Sequence, residues 1–298
     1  MPSDRRQRYI GRFAPTPSGL LHLGSLIAAL GSYLDARAHH GLWLLRIDDL
    51  DQARTPNGVS AGIIEQLHAH GLAFDQKPIL QSEQNHRYEQ ALAQLANQGL
   101  VYRCSCTRKQ LNAQLKTHPE INGTYGIIYP GFCRKRTLAD AQQAAWRLIT
   151  PDKTLSQADR FGAESTINPA RELGDVIVRR RDGPFAYHLA NVVDDLHTGV
   201  TDVVRGEDLK PFAPLHQWLT KQLEPDYPDI RYGHLPLVFG PDGRKLSKTN
   251  HARPLDNRQA RANLCAAARY LKLRCPDQAG INALLDIWTE IWGARLSK

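Results

Sequence analysis

The sequence predicts an α/β protein with a Rossmann-like nucleotide-binding core, an irregular insertion and a short C-terminal helical bundle. Strand and helix patterns alternate over residues 8–100 and resume after residue 172. The stretch between them is less regular and carries a cysteine cluster, and residues 254–298 show only helical periodicity. We therefore expect four units, namely a first core half at 1–100, the insertion at 101–172, a second core half at 173–240, and a basic loop with a helical domain at 241–298.

The core begins with a strand, a tight loop and a helix. Residues 8–13 are strand-like, and Pro15, Pro17 and Gly19 then exclude regular structure. From Leu23 onward the apolar residues recur at helical spacing. A helix N-terminus carries unpaired N–H groups and the positive end of the helix dipole. This junction is therefore suited to bind an anion such as a phosphate.

Two residues at this junction are the first candidates for phosphate contact. His22 can donate a hydrogen bond to a phosphate oxygen, and Gly24 lets a base or a phosphate approach the backbone. The alternative is a capped amphipathic helix with an incidental surface histidine. The segment lacks both GxGxxG and the GKS or GKT end of a P-loop, which argues against those two nucleotide-binding folds.

A second strand is predicted from Leu42 to Ile47, because this run is almost continuously apolar, as in a buried parallel strand. It ends in the acidic turn that starts at Asp48. Polar groups at the carboxyl end of a central strand lie where open α/β sheets bind ligands, and a solvated acidic turn is the alternative.

The later elements are predicted as helices at 59–70, 86–98, 186–196 and 210–223 and strands at 100–103, 173–179, 201–205 and 235–239.

A polar loop with several cations follows the last predicted strand. Gly240–Gly243 is a turn, and Lys245 and Lys248 come directly after it. Attack on an α-phosphate builds negative charge on its oxygens, and positioned ammonium groups stabilise that charge more in the transition state than in the ground state. The alternative is an ordinary basic surface loop.

Three cysteines of the insertion are spaced as candidate metal ligands. Cys104 and Cys106 form a Cys-x-Cys pair, and Cys133 lies downstream. In a reducing compartment such a cluster more often binds metal than forms a disulfide. Zinc prefers four tetrahedral ligands, so a fourth residue is needed; three unrelated thiols are the alternative. Cys265 and Cys275 lie apart from this cluster and are interpreted as ordinary thiols.

Composition narrows the class of protein. The chain has 298 residues, 42% of them hydrophobic, and no apolar run approaches the length of a membrane span. The polar N-terminus lacks the apolar core of a signal peptide, so we expect a cytoplasmic protein. A net charge of +8 is consistent with a polyanionic partner.

The two segments around His22 and Lys248 together resemble the HIGH-type and KMSKS-type signatures of class I aminoacyl-tRNA synthetases. The surrounding sequence is similar to glutamyl-tRNA synthetases over about residues 8–250. The matching stretches are Arg12–Gly19, Arg46–Asp49, Asp194–Asp195, Arg205–Asp208 and His234–Leu237. Only 50 residues follow Lys248, too few for that family's large anticodon-binding domain. A short chain with a Cys-x-Cys module instead resembles the glutamyl-queuosine tRNA(Asp) synthetases.

This resemblance implies a two-step activity. Glutamate is activated with ATP, accompanied by Mg²⁺, to glutamyl-adenylate without tRNA, and is then transferred to the queuosine base in the anticodon of tRNA(Asp). The expected partners are therefore ATP, L-glutamate and queuosine-containing tRNA(Asp), with the protein acting as a monomer. The alternatives are a minimal glutamyl-tRNA synthetase that charges a 3′ end, an inactive tRNA-binding module, and an adenylate-forming ligase for a small molecule.

The resemblance also implies roles for particular residues. Asp48 would hold the α-ammonium group, at a position where the family has Glu. For Arg205, the alternative to substrate binding is a structural ion pair with Glu207 or Asp208. The residues implied for glutamate are Arg12, Phe13, Ala14, Pro15, Thr16, Asp48, Tyr187 and Arg205. Those implied for ATP are His22, Gly24, Ser25 and Lys248, with Lys248, His22 and Lys245 as the catalytic set. Tyr129 matches the spacing of the family's fourth zinc ligand, with Tyr125 and His118 as alternatives.

Overall fold

The computed structural model describes residues 8–136, 143–239 and 253–296. The strands in these ranges are β1 Ile10–Phe13, β2 Leu42–Ile47, β3 Ile79–Leu80, β4 Val101–Cys104, β5 Asn122–Gly123, β6 Gly126–Ile127, β7 Ala145–Leu148, β8 Leu155–Gln157, β9 Ser165–Ile167, β10 Ile177–Arg179, β11 Asp202–Gly206 and β12 Arg231–Leu235. The helices are α1 Leu23–Ala38, α2 Val59–Ala69, α3 Asn85–Asn97, α4 Arg108–Gln114, α5 Pro169–Glu172, α6 Tyr187–His197, α7 Ala213–Leu223, α8 Ala260–Tyr270 and α9 Ile281–Leu296.

The core consists of two adjacent parallel sheets, one from each half of the chain. β1 pairs with β2 and β2 with β3, while β11 pairs with β12, each time in parallel. β11 lies beside β1, where the N–H of Thr201 donates to the carbonyl of Ile10 at 2.9 Å. The strand order is therefore β3-β2-β1-β11-β12, which confirms the expected Rossmann-like core. Helix α1 crosses from β1 to β2, as expected of a parallel βαβ connection.

The insertion forms its own antiparallel sheet. β4 pairs with β7, and β7 pairs with β10, so the order is β10-β7-β4. The predicted strand at 173–179 is wrong at its start, because Leu173 caps α5 and Gly174 adopts a positive φ of 66°. Only Ile177–Arg179 is strand, and it joins the sheet of the insertion.

The C-terminal helices share the main hydrophobic core with α1. Leu30 and Leu34 of α1 cluster with Leu264 of α8 and Trp288 of α9. The helical bundle is therefore confirmed, but the interpretation of Cys265 and Cys275 as thiols is wrong. The chain reverses after α8 and brings these two residues together in a disulfide with a Cα–Cα distance of 5.4 Å.

Two other predicted boundaries are wrong for reasons of backbone chemistry. The strand expected at 235–239 instead lies at Arg231–Leu235, so the two ranges share only Leu235. It ends there because Pro236 has no N–H to continue the ladder. The helix expected from residue 210 begins at Ala213, after the 3₁₀ turn Glu207–Phe212. None of the helices within the described ranges combines the length and apolarity needed to span a bilayer.

Candidate active site

The carboxyl-terminal half of the two parallel sheets brings charged side chains together with helix α6. Arg12 and Arg46 come from β1 and β2, and Arg205 comes from β11. Tyr187, at the first turn of α6, is half-buried beside these side chains. Burial raises the pKa of its hydroxyl, although Arg205 and the other two arginines oppose the shift. The candidate site contains two different arginine environments.

The first environment is a cluster in which two arginines lie directly against carboxylates. Arg46 donates to Asp195 at 2.7 Å, to Asn191 at 2.8 Å and to Asp48 at 2.7 Å. Arg12 donates through Nε to the same Asp195 oxygen at 3.1 Å and through Nη2 to Asn191 at 3.2 Å. Because Asn191 and Asp195 lie one turn apart on α6, both face the same two guanidinium groups.

Burial and charge act against each other on the carboxylates of this cluster. Burial alone would raise the pKa of Asp195, but Arg12 and Arg46 hold that pKa below its usual range. Burial raises the pKa of Asp194 to about 6, although Arg46 opposes the shift. Burial also raises the pKa of Asp48, again opposed by Arg46. Asp48 is thus oriented by Arg46 at the end of β2.

The second environment surrounds Arg205 with uncharged groups. Its Nε donates to Nε2 of His234 at 3.2 Å, and its Nη2 donates to the carbonyl of Leu209 at 2.9 Å. Its Nη1 donates to the hydroxyl of Tyr187 at 3.2 Å and lies 3.5 Å from Nδ1 of His216. The strand register explains part of this arrangement, because Arg205 and His234 are direct partners on β11 and β12.

The histidines around Arg205 are held neutral. Burial, reinforced by the charge of Arg205, lowers the pKa of His188 to about 4 and that of His234 to about 4. The same two causes lower the pKa of His216 well below its usual range. Nδ1 of His234 donates to Asp159 at 2.8 Å, which leaves its Nε2 as the acceptor for Arg205.

The contacts of Arg205 argue against the ion pair considered as its alternative role. In the part of the chain that the structure describes, its partners are neutral acceptors, rather than Glu207 or Asp208. Its guanidinium group also lies over the ring of Tyr232, 5.2 Å from the centroid. Among the described residues, no carboxylate therefore contacts the buried guanidinium of Arg205.

The loop after β1 is placed differently from the charged residues. Phe13 is buried and stacks on Trp43, with 6.2 Å between ring centroids. The carbonyl of Pro15 accepts a hydrogen bond from the N–H of Asp48 at 3.0 Å, so the loop is fixed to the end of β2. Ala14 is partly buried next to Pro15, and Thr16 is exposed.

The start of α1 lines a cleft of about 200 Å³. His22 is the N-cap of α1, where its Nδ1 accepts from the N–H of Ser25 at 3.3 Å and the Ser25 hydroxyl accepts from the N–H of His22 at 3.4 Å. An accepting Nδ1 places the ring proton on Nε2. Gly24 lines the same cleft, opposite Gly206 and the segment after β12. Lys245 and Lys248 lie outside the described residues.

The cysteines of the insertion converge as expected for metal ligands. The sulfur atoms of Cys104, Cys106 and Cys133 all lie within 4.8 Å of one another. The hydroxyl of Tyr129 is 3.2 Å from the sulfur of Cys104 and 3.4 Å from that of Cys106. Burial alone would raise the pKa of Cys133, but hydrogen bonding, first to Tyr129, lowers it to about 7. This donor set can hold a metal ion.

The other candidates for a fourth ligand point elsewhere. Tyr125 is 43% exposed, and its ring packs against Phe212. His118 is exposed and pairs with Glu120 at 3.0 Å. Among the three candidates, Tyr129 is the residue whose oxygen lies beside the sulfur atoms.

Comparison with known proteins identifies the family. Residues 10–278 match the family described as tRNA synthetases class I (E and Q), catalytic domain. The chain is 46% identical to a glutamyl-Q tRNA(Asp) synthetase of Ectopseudomonas mendocina, over 91% of this chain and 87% of the relative. It is 43% identical to that of Pseudomonas fluorescens, over 99% of this chain and 96% of the relative. The chain belongs to the glutamyl-Q tRNA(Asp) synthetase family.

Solved structures agree on the fold. A glutamate tRNA ligase from Elizabethkingia meningosepticum, crystallised in complex with its amino acid, is similar with a TM-score of 0.70 and 28% identity. The match covers 82% of this chain and 52% of that protein, so this chain spans about half the length of the ligase.

Sequence reasoning missed the surroundings of the arginines. His188 and His216 contact each other at 3.1 Å from helices α6 and α7, and no local spacing pairs them. Asp159 reaches His234 from a loop 75 residues earlier in the chain. Asn191, in contrast, had a usable signal, since it lies four residues before Asp195 on a predicted helix.

Proposed function

We propose that the protein activates L-glutamate with ATP and transfers it to the queuosine base in the anticodon of tRNA(Asp). The observation that carries the proposal is the buried Arg205, whose described partners are all neutral. A substrate carboxylate supplies the anion that this guanidinium lacks. The names of the family's members support glutamate as the amino acid and tRNA(Asp) as the acceptor.

The first step is adenylation. A glutamate α-carboxylate oxygen attacks the α-phosphorus of ATP, pyrophosphate leaves and glutamyl-adenylate forms. Arg205 and Arg12 bind the two carboxylates of glutamate, Asp48 accepts from the ammonium group, and the Tyr187 hydroxyl orients the substrate. The two N–H groups on Nη1 of Arg12 have no acceptor among the described residues and can serve this purpose.

The nucleotide lies along the cleft at the start of α1. His22, Gly24 and Ser25 border that cleft, and the Nε2–H group of His22 can donate a hydrogen bond to a phosphate oxygen. Lys245 and Lys248 stabilise the charge that develops on the α-phosphate, and Mg²⁺ accompanies the triphosphate.

The second step is acyl transfer. A hydroxyl of the queuosine cyclopentenediol ring attacks the acyl carbon, AMP leaves with the bonding electron pair, and an ester forms while the hydroxyl proton is released. No enzyme nucleophile takes part, so positioning and electrostatics provide the rate acceleration. Because the proposed substrates include ATP and tRNA, the reaction takes place in the cytoplasm.

Two assays test this function. Glutamate-dependent exchange of pyrophosphate into ATP is expected without any tRNA, and labelled glutamate is expected on tRNA(Asp) only when that tRNA contains queuosine. Label on the 3′ end of tRNA(Glu) would instead identify a minimal glutamyl-tRNA synthetase. Absence of exchange under all conditions would contradict adenylation altogether.

We also propose that the insertion holds one structural zinc ion through Cys104, Cys106, Cys133 and Tyr129. Thiolates and a fourth oxygen or nitrogen ligand suit a closed tetrahedral site. Elemental analysis of the native protein should give about one zinc per chain, and Cys106→Ser should lose it. A metal-free native protein with full activity would contradict this assignment.

A further inference from the structure

The net charge of the chain is concentrated in one short stretch. Residues 101–136 contain seven Lys or Arg side chains and one Glu, whereas the rest of the chain nearly balances. About an eighth of the sequence therefore carries three-quarters of the net charge of +8. We call residues 101–136 the basic module.

Most cations of the basic module are exposed and have no anionic partner in the described ranges. There are two exceptions: Arg134 pairs with the buried Asp175 at 2.6 Å, and Arg103 is partly buried over the ring of Trp146. Arg108 and Lys109 begin α4, where the positive end of the helix dipole disfavours cations, so stability does not explain them. The exposed cations are Arg108, Lys109, Lys116, Lys135 and Arg136.

The same module exposes two large aromatic side chains. Tyr125 is 43% exposed and Phe132 is 44% exposed. Cations interleaved with exposed aromatic rings are typical of surfaces that bind unpaired nucleotides, because phosphates meet the cations and bases stack on the rings. A double-helical arm offers phosphates but no unstacked base.

Tyr125 connects the module to the Arg205 environment through a chain of ring contacts. Its ring lies 5.8 Å from that of Phe212, and Phe212 lies 5.2 Å from His188. His188 contacts His216 at 3.1 Å, and His216 borders Arg205. The exposed ring of Tyr125 is therefore the part of the basic module that continues into the wall of the glutamate site.

We propose that the basic module is the docking surface for an RNA loop and that Tyr125 stacks on an unpaired base beside the nucleotide that accepts glutamate. This inference rests on the proposed function for the identity of the acceptor. The occupant is a single-stranded loop, since charge complementarity requires a polyanion and the exposed rings require unstacked bases. The ring of Phe212 supports that of Tyr125 through an edge-on contact.

Three variants and one control test the proposal in the full-length protein. Tyr125→Ala removes the ring and Tyr125→Phe keeps it. The double variant Lys109→Gln/Lys116→Gln removes two charges from the module, and Lys77→Gln/Lys153→Gln removes two exposed charges elsewhere. Measured quantities are pyrophosphate exchange without RNA, kcat/KM for transfer, zinc content, and binding of a fluorescent anticodon stem-loop compared with a blunt duplex of equal length.

The expected result separates RNA docking from glutamate activation. Exchange and zinc content remain unchanged in all variants. Tyr125→Ala lowers transfer and stem-loop binding by about tenfold or more, as for loss of one base–aromatic stack, and Tyr125→Phe retains both. The double variant in the module binds the stem-loop more weakly, and the slope of log binding constant against log salt concentration becomes shallower by about 1.5. The control double variant changes neither quantity.

The outcomes that overturn the proposal differ from failure of the proposed function. Normal transfer and stem-loop binding in Tyr125→Ala, or equal losses in the two double variants, would overturn the docking surface. Tighter binding of the blunt duplex than of the stem-loop would overturn the stacking role. If the parent enzyme exchanged pyrophosphate but acylated no RNA, the proposed function would fail, while the binding measurements would still decide where RNA docks.

Discussion

Two buried arginines from two adjacent parallel sheets have opposite surroundings. Arg46 is 3% exposed and contacts Asp48 and Asp195 within 2.7 Å. Arg205 is 5% exposed, yet its described partners are two histidines, a tyrosine hydroxyl and a carbonyl. Residue type and burial are the same in both places, but only one of the two charges is compensated.

The difference separates an arginine whose charge is compensated within the protein from one whose charge, under the proposed function, is left for the substrate carboxylate. A buried charge is costly unless an opposite charge lies close by, and Arg46 has that compensation within the protein. The environment of Arg205 provides hydrogen-bond acceptors that fix its orientation without cancelling its charge. Such an arrangement favours binding of an anion, because the guanidinium is oriented before the ligand arrives.

The largest expected effect is on stability, at Arg46. We expect Arg46→Met to lower the free energy of unfolding by about 3–5 kcal/mol, because Asp48 would lose its arginine partner and Asp195 would keep only Arg12. Urea-induced unfolding followed by circular dichroism measures this change. Arg205→Met is the matched control, since it removes the same side chain from a site of similar burial. Equal loss of stability in both variants would refute the distinction between the two environments.

The second effect is on activity, at Arg205. We expect Arg205→Met to change the free energy of unfolding by no more than about 1 kcal/mol, because removal of an uncompensated charge offsets the lost hydrogen bonds. Glutamate-dependent pyrophosphate exchange should fall by about 100-fold or more, the equivalent of two charge-assisted bonds to a carboxylate. Exchange at the parent rate would show that Arg205 does not bind the substrate.

Sequence patterns predicted the elements whose signals are local. β2 matches the expected range, Leu42 to Ile47, because a strand buried on both faces is a continuous apolar run. The start of α1 at Leu23 followed from helical spacing after a proline-rich loop. β12 was placed too late, at 235–239 instead of Arg231–Leu235, because Leu235 and the residues after it look apolar enough for a strand, whereas Pro236 ends the hydrogen bonding.

The candidate site was predictable as single residues and not as an arrangement. Tyr187 and Arg205 were identified from family resemblance, and the structure brings their side chains to 3.2 Å. Whether Arg205 is compensated depends on residues from a loop, a helix and a neighbouring strand, and spacing in the sequence does not encode those contacts. His216 and Asp159 could be found only once the chain was folded.

The smallest expected effect concerns the orientation of Arg205 by Asp159. Asp159 accepts from Nδ1–H of His234 at 2.8 Å, which obliges Nε2 to accept from Arg205. In Asp159→Asn, an amide N–H can face Nδ1, the ring proton moves to Nε2, and that proton opposes the N–H of Arg205. We therefore expect the glutamate KM in pyrophosphate exchange to rise by about tenfold with little change in kcat, because one hydrogen bond to a charged group is lost.

A variant at Lys210 distinguishes this tautomer effect from general loss of charge. Lys210 contacts the same Asp159 oxygen at 3.2 Å but does not touch the His234 ring in the described hydrogen bonds. Lys210→Met leaves Asp159 paired with His234, so its glutamate KM should stay within about twofold of the parent value, since the acceptor for Arg205 is kept. A KM that rises equally in both variants would mean that Asp159 acts through charge alone, and an unchanged KM in Asp159→Asn would show that the histidine does not orient Arg205.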